Sequence, residues 1–295
     1  RGLGDVYKRQ LQGSTYGLGQ AIGAALSRTH SSDTLLVGLS RSAVHDGGAG
    51  ALDALGGTAA AMDLLAGRSL GLVLADDIAL GGMNGAGAAL ADVTSLGPRQ
   101  AQELDRRACA AATEAVNTTG TIRKSSSGGR RTLPVVSALD GAQMPSASAA
   151  ADSGGIGRLG TSVWGTGAAG GGAMALRALG AWARPGARVM AEILGLPDAV
   201  LGQDLVVTAS GELYDVLADS IVGVVGQHAA SQALPCVLAC GRCATTRGEL
   251  ASAGVSTSYS VQEPHSVESW DAGSPDALEA RLTDLGARLA RTWSR

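Results

Sequence analysis

Short apolar runs alternate with stretches of helical periodicity along most of the chain. Five runs are apolar or β-branched and are bounded by Gly, Pro, Asp or Ser, which is the pattern of a β-strand. Strands that alternate with helices are typical of an α/β protein with a largely parallel sheet, so the sequence predicts that fold class. The predicted strands cover residues 33–39, 71–75, 204–208, 235–239 and 255–261.

Two helices are predicted from their apolar spacing and from the residues at their ends. In the segment 98–116, Pro98 suits the first turn of a helix. In the last helix, Ser274 is the predicted N-cap and Pro275 begins the first turn. The apolar stripes consist of Leu104, Ala108, Ala111, Ala112 and Ala115 in the first helix and of Leu278, Leu282, Leu285 and Leu289 in the last.

Two segments lack this periodicity. Residues 117–160 are rich in Ser, Gly and Thr, and we interpret them as a low-complexity insertion. Their basic cluster of Lys124, Arg130 and Arg131 is better explained as a solvated linker than as an interaction site. Residues 1–12 have no initiating Met and are interpreted as a non-native leader, so we expect an N-terminally incomplete chain.

Composition and charge exclude several classes of partner. The chain has 295 residues, 45% of them hydrophobic, and a formal net charge of −3. This charge favours neither nucleic acid nor an anionic membrane, and no apolar run reaches the roughly 18–20 residues of a membrane span. We therefore expect a cytoplasmic protein. Its lysines are Lys8 and Lys124, and one lies in each of the two aperiodic segments. A phosphate site in the rest of the chain must therefore rely on Arg, backbone N–H groups or a metal.

Four stretches, in the family's order, resemble the bacterial glycerate kinases. "GSTYGLGQAIGAAL" resembles the Thr-Ser-Tyr-Gly-x-Gly helix start of that family, and "SRSAVHDGGAG" resembles its Gly-Gly-Ser-Ala-Thr-Asn-Asp-Gly-Gly-Ala-Gly loop. "GTGAAGGGA" is similar to its Gly-Ala-Gly-Ala-Ala-Gly-Gly turn, and the long stretch that ends in "TASGEL" leads to its Thr-Gly-Glu-Gly-x-Leu-Asp motif. The resemblance covers roughly residues 13–116 and 161–293.

The resemblance implies a two-domain α/β kinase, with a Rossmann-like domain built from both chain ends and a second α/β domain inserted between them. Residues 13–229 would form the inserted domain, and residues 230–295 the C-terminal part of a Rossmann-like domain whose N-terminal part is missing. The implied activity is phosphorylation of D-glycerate with ATP and Mg²⁺ as cofactors, with the substrate between the domains. The implied partners are D-glycerate and the nucleotide, and a homodimer is left open.

Several polar residues of the family pattern are replaced. Ser40 and Arg41 stand where the family has a glycine pair, and Val44 and His45 stand where it has Thr-Asn. The Glu and Asp of the last motif correspond to Ser210 and Tyr214. The apolar and glycine framework is thus kept while polar side chains are lost, so a catalytically inactive glycerate-kinase-like fragment stands as an alternative.

The candidate site residues lie in turns that follow strands and begin helices. Asp46 is the predicted catalytic residue, which would accept the hydroxyl proton or hold Mg²⁺ through water, and Asp77 is the predicted metal ligand. The alternatives are an N-cap role for Asp46 and tight packing for the glycines. The predicted substrate- or phosphate-binding residues are Ser42, Gly47, Gly48, Gly50, Gly165, Gly167, Gly170 and Gly171.

Other motifs are weaker. Arg41 is predicted either to approach phosphate or to be an ordinary surface residue, and we reject His45 as a catalyst because neighbours on a turn rarely point together. "GTGAAG" matches a dinucleotide fingerprint with Glu192 beyond it, which leaves an NAD-binding oxidoreductase as the second alternative. The spacing of Cys236, Cys240 and Cys243 matches iron–sulfur radical enzymes, but buried thiols are the better interpretation.

Overall fold

The computed structural model describes residues 13–42, 44–93, 96–126 and 159–294. The chain divides into two compact units, residues 1–185 and residues 186–295. Each unit contains a three-stranded parallel sheet with helices in the connections, so the predicted α/β class is confirmed. No helix in these described ranges is long and apolar enough to cross a membrane.

Unit 1 is built around sheet A, in which the strands lie in the order β1-β2-β3. The central strand β2 is the most buried, and Leu72 in it is fully enclosed together with Ile22 and Leu176 from the covering helices. The elements are α1 (Tyr16–Leu26), β1 (Thr34–Leu39), α2 (Ala49–Ala54), α3 (Gly57–Leu65), β2 (Ser69–Leu74), α4 (Ala86–Val93), α5 (Pro98–Ser126), α6 (Gly172–Leu179) and β3 (Trp182–Pro185).

Strand β3 is absent from the sequence prediction. It has four residues, ends in Pro185 and, in the part of the chain that the structure describes, pairs with β2 alone. It therefore carries neither an apolar run nor enough length for alternation to be visible. Its place depends on a tertiary contact, because Gly71 in β2 leaves room for the indole ring of Trp182, which a Cβ atom at residue 71 would overlap.

Helix α5 is longer than the sequence prediction. It was expected to end at residue 116, where the low-complexity insertion was to begin, but it continues to Ser126. The fully buried Thr119 permits this, because its hydroxyl donates to the main-chain carbonyls of Ala115 and Val116 and so leaves no unpaired polar group in the core. Residues 127–158 of the predicted insertion and the predicted leader 1–12 lie outside the described residues.

Unit 2 is built around sheet B, with strand order β4-β5-β6. The central strand β5 is buried, and Cys236, Val237 and Leu238 lie in its core. All five strand predictions are confirmed, in β1, β2 and the three strands of sheet B. The elements are α7 (Gly186–Ile193), α8 (Leu196–Ala199), β4 (Val206–Leu213), α9 (Ile221–Ser231), β5 (Cys236–Cys243), α10 (Arg247–Ser252), β6 (Thr257–Gln262) and α11 (Pro275–Trp293).

The boundary of the compact units differs from the expected domain boundary. The resemblance places the boundary at residues 229 and 230, between strands β4 and β5, which pair in parallel from Val206 with Cys236 to Leu213 with Cys243. The compact units instead meet at residues 185 and 186. The assignment of these units to an inserted and a Rossmann-like domain stays a prediction.

The last helix begins as its sequence indicates. The hydroxyl of Ser274 accepts a hydrogen bond of 3.3 Å from the main-chain N–H of Ala277, which confirms the predicted N-cap. The predicted leucine stripe is only partly used, since Leu285 is buried whereas Leu282 is 44% exposed.

The capping box at the start of α10 makes a contribution to the stability of unit 2 that depends on pH. Thr246 and Glu249 cap each other's main-chain N–H groups, and hydrogen bonds from the backbone and hydroxyl of Thr246 lower the pKa of the Glu249 carboxyl. A lowered carboxyl pKa means stability that is complete above the ordinary value of 4.5 and is lost as the pH falls through the folded value. We expect the wild type to unfold at a higher urea concentration than Glu249→Gln at pH 7, and this difference between the two midpoints should shrink as the pH is lowered to 3. A difference that stays constant over this pH range would contradict the contribution of Glu249.

Candidate functional site

Three loops meet at the carboxyl edge of sheet A. Loop A follows β1 and comprises residues 40–42 and 44–48, loop B follows β2 and comprises residues 75–81, and loop C, residues 165–171, precedes α6. Ligands of α/β proteins commonly bind at this edge of a parallel sheet. The loops are joined by main-chain hydrogen bonds from Ala169 to Ser40 (2.8 Å), Gly47 to Gly170 (2.8 Å), Gly165 to Asp77 (3.0 Å) and Gly167 to Ile78 (3.0 Å). The sequence-predicted site residues are therefore brought together.

The carboxylate of Asp46 joins loop A to the starts of α1 and α2. It accepts hydrogen bonds from the main-chain N–H groups of Thr15 (2.7 Å), Gly48 (2.9 Å) and Gly50 (3.2 Å). It also accepts from the hydroxyls of Thr15 (2.9 Å) and Ser14 (3.3 Å). Five donors exceed the roughly four lone-pair positions of a carboxylate, so none of these positions is left over in this conformation. Gly48, and not Asp46, is the N-cap residue of α2, so the carboxylate of Asp46 caps the start of this helix from two residues before the N-cap position. The catalytic role of Asp46 stays a prediction.

The glycines of loops A and C are packed against the chain itself. A Cβ atom at Gly47 would overlap the main-chain carbonyl of Ala108, one at Gly170 would overlap the carbonyl of Val44, and one at Gly171 would lie 2.6 Å from the Cα atom of Gly47. The absence of a side chain is therefore required by close packing of the backbone.

Most of the N–H groups of these glycines have acceptors within the chain. Gly48 and Gly50 donate to the Asp46 carboxylate, and Gly47 donates to loop C. Gly165 and Gly167 donate to carbonyls of loop B. These five amides build the frame of the edge and, in this conformation, are not available to a phosphate group.

Among the described residues of the three loops, the exposed polar side chains are those of Ser40, Arg41, Ser42 and Asp77. The side chain of Arg41 is 66% exposed, and its guanidinium pairs with the carboxylate of Asp76, which also accepts from the main-chain N–H of Ile78. The hydroxyl of Ser42 accepts a bond of 3.1 Å from the N–H of Val44. Within the described ranges, no donor contacts the side chain of exposed Asp77. These are the side chains that a ligand can reach.

Magnesium fits this edge only as an ion that arrives with phosphate. Among the residues that the structure describes, no group of three or more His, Cys, Asp or Glu side chains is close enough to hold a metal. Mg²⁺ usually keeps several waters and takes one or two carboxylates together with substrate phosphates. Asp77 can supply such a carboxylate, whereas the lone pairs of Asp46 are already used.

His45 in loop A and Asp105 on α5 form a partly buried pair, which the sequence analysis missed. The His45 side chain is 1% exposed, and its Nε2 lies 2.9 Å from Oδ1 of Asp105 on α5. Burial prevents His45 from touching a substrate, which agrees with its rejection as a catalyst. The Cys109 thiol donates to the same Asp105 oxygen at 3.7 Å, and burial, followed by the Asp105 charge, raises the pKa of that thiol to about 11.

The cysteines of unit 2 lie along strand β5. Cys236, Cys240 and Cys243 are all buried in the core of sheet B, as the buried-thiol interpretation predicts. Among the residues that the structure describes, no three His, Cys, Asp or Glu side chains are arranged to hold a metal. Burial raises the pKa of Cys236 and of Cys240 to about 11, so both stay thiols at neutral pH.

The dinucleotide fingerprint in loop C lacks its usual context. The described residues directly before "GTGAAG", residues 159–164, contain no strand, although α6 follows it. A Rossmann fingerprint depends on a strand, a turn and a helix in succession.

These features define an α/β protein with a glycine-rich edge on one parallel sheet. The chain belongs to the glycerate kinase family, whose family model matches residues 2–84 and 132–294. The fold is similar to that of a crystal structure of a putative glycerate kinase 2 from Salmonella typhimurium LT2, with a TM-score of 0.56 and 18% sequence identity over 96% of this chain and 70% of that chain. No curated protein matches the sequence.

Proposed function

We propose that the chain is a phosphotransferase that uses ATP and Mg²⁺ to phosphorylate D-glycerate at the carboxyl edge of sheet A. Membership of the glycerate kinase family supports the class of reaction. The observation that carries the location is the joining of loops A, B and C by main-chain hydrogen bonds, because these bonds bring Ser42, Asp46 and Asp77 to one edge.

The exposed side chains have the chemistry that phosphoryl transfer requires. Mg²⁺, when bound with the nucleotide, neutralises the charge that spreads over the phosphate oxygens during transfer. Asp77 would hold that ion, Arg41 would exchange its Asp76 partner for a phosphate or for the glycerate carboxylate, and Ser42 would donate its hydroxyl hydrogen to the same oxygens. The glycines keep the three loops close enough to act together.

Asp46 would act as the base that accepts the hydroxyl proton of glycerate. Its five donors occupy the carboxylate, so this role requires that one donor is released when the substrate binds. The bond from Ser14 is the longest of these, at 3.3 Å, and its side chain lies at the surface. We therefore propose that the substrate hydroxyl replaces the hydroxyl of Ser14.

A non-catalytic protein is the second candidate. The observation that favours it is the internal pairing of the glycine amides and of Asp46, since a frame that is satisfied by its own chain needs no ligand. Such a protein would keep the family fold and would unfold cooperatively, but nucleotide would not stabilise it.

Binding of Mg·ATP should separate these candidates. At about 100 times the dissociation constant a ligand stabilises by about 2.7 kcal/mol, which raises Tm by roughly 5–10 °C. We expect this saturable shift for the wild type, and at least a tenfold weaker apparent affinity for Asp77→Asn, because the magnesium carboxylate is lost. Asp63→Asn, which changes an exposed carboxylate on α3, is the matched control. If Mg·ATP does not raise the Tm of the wild type, the non-catalytic protein is favoured. If Mg·ATP raises the Tm of Asp77→Asn and Asp63→Asn equally, Asp77 does not take part in binding.

A further inference from the structure

The His45–Asp105 pair connects the loop that carries Asp46 to the longest helix of unit 1. His45 lies in loop A, directly before Asp46, and Asp105 lies 60 residues further along the chain, on α5. The imidazole is fully enclosed, whereas the Asp105 side chain is 27% exposed. A hydrogen bond to a carboxylate in such a partly buried place is stronger than one between neutral groups in water.

The surroundings leave little freedom to either partner. Gly47 lies against the main chain of α5 at Ala108, and Gly87 of α4 faces the Asp105 carboxylate so closely that a Cβ atom there would overlap it. Loop A and the start of α4 therefore pack against α5 around the same carboxylate. A change in the contacts of Asp105 would therefore directly affect the packing of loop A.

We propose that Asp105 is a positioning residue, which holds loop A through His45 in the shape that the phosphotransfer site requires. The proposal rests on the proposed function of this edge. Asp105 acts through the His45 ring, because that ring is enclosed and cannot itself reach a ligand. The backbone of residue 45 then fixes the start of the turn at Asp46. In this turn the Asp46 carboxylate accepts hydrogen bonds from N–H groups at the starts of α1 and α2.

Hydrogen exchange of the full chain measures this holding directly. His45→Leu removes the ring nitrogens while keeping apolar bulk, and we expect the amides of loop A to exchange at least tenfold faster, whereas amides of sheet B keep wild-type rates as the internal reference. His45→Gln retains an amide donor and should recover most of the protection. Glu103→Gln, whose carboxylate pairs with Arg106 on the surface of the same helix, is the control. Wild-type exchange of loop A in His45→Leu would overturn the proposal.

Phosphotransfer kinetics give the second readout. Asp105→Leu should lower kcat at least tenfold with less than a threefold change in KM for ATP, and Asp105→Asn, which still offers an oxygen to His45, should restore most of kcat. Failure of Asp105→Asn to restore kcat, with loop A protected as in the wild type, would overturn the positioning role. A wild-type chain without phosphotransfer would overturn the proposed function and with it the catalytic purpose of Asp105, while the exchange rates would still decide whether the pair holds the loop.

Discussion

Asp46→Ala is expected to slow phosphotransfer by orders of magnitude and to lower the stability of unit 1. The change leaves the N–H groups of Thr15, Gly48 and Gly50 without their acceptor at the starts of α1 and α2. Loss of a cap costs about 0.5–2 kcal/mol and unpaired buried donors cost about 1–3 kcal/mol, so we expect a loss of about 3 kcal/mol. Thermal unfolding should show a fall in Tm of roughly 6–12 °C. Loss of a general base should lower kcat by about 10²–10⁴-fold.

Asp46→Asn separates the two roles of Asp46. The amide keeps one oxygen as an acceptor but cannot take a proton from a hydroxyl at neutral pH, so Tm should recover in part while kcat stays low. Asp53→Asn, on the exposed side of α2, is the matched control for the change of charge. If Asp46→Asn keeps full activity, Asp46 acts only as a cap. If Asp46→Ala has the same Tm as the wild type, the capping contacts do not contribute to stability.

Gly47→Ala is expected to be the most destabilising of the single-methyl changes in loop A. Gly47 has a φ angle of +69°, and the added methyl group would overlap the main-chain carbonyl of Ala108, which a rigid helix cannot move aside. A left-handed conformation costs an alanine about 1–2 kcal/mol, and overpacking adds about 1–3 kcal/mol. We expect Tm to fall by roughly 5–15 °C in a thermal unfolding experiment.

Gly67→Ala is a closely matched control for Gly47→Ala. Gly67 has a φ angle of +70° but nothing within 4 Å of the position that a Cβ atom would take. It therefore measures the backbone strain alone, and we expect about half of the Gly47→Ala effect or less. Equal losses in the two variants would show that loop A does not approach α5 as closely as the structure has it.

Most of the fold could be predicted because its strands carry their own signal. The strands β1, β2, β4, β5 and β6 are apolar or β-branched runs bounded by turn residues, and these are local properties. Strand β3 has no such signal, since four residues around a proline become a strand only when Trp182 finds the space at Gly71. The end of α5 was not predicted for a similar reason. Thr119 is a polar residue in the sequence, and only the structure shows that its hydroxyl bonds to the preceding turn of the helix.

The candidate site was predictable in its position but not in its bonding. A glycine that leaves room for a phosphate and a glycine that leaves room for a neighbouring backbone have the same sequence pattern, so only the contacts of Gly47 and Gly170 distinguish the two. Asp105 gave no signal, because its partner His45 is 60 residues away in the chain.

The most direct test of the central claim is ³¹P NMR of the full chain with Mg·ATP and D-glycerate. If the chain is the proposed phosphotransferase, a phosphoglycerate resonance will appear in step with ADP. Both will be absent when D-glycerate is left out, and both will form about 10²–10⁴-fold more slowly in Asp46→Ala. Unchanged ATP, or release of inorganic phosphate without phosphoglycerate, would contradict the proposed function and leave a glycerate kinase fold that does not perform the reaction.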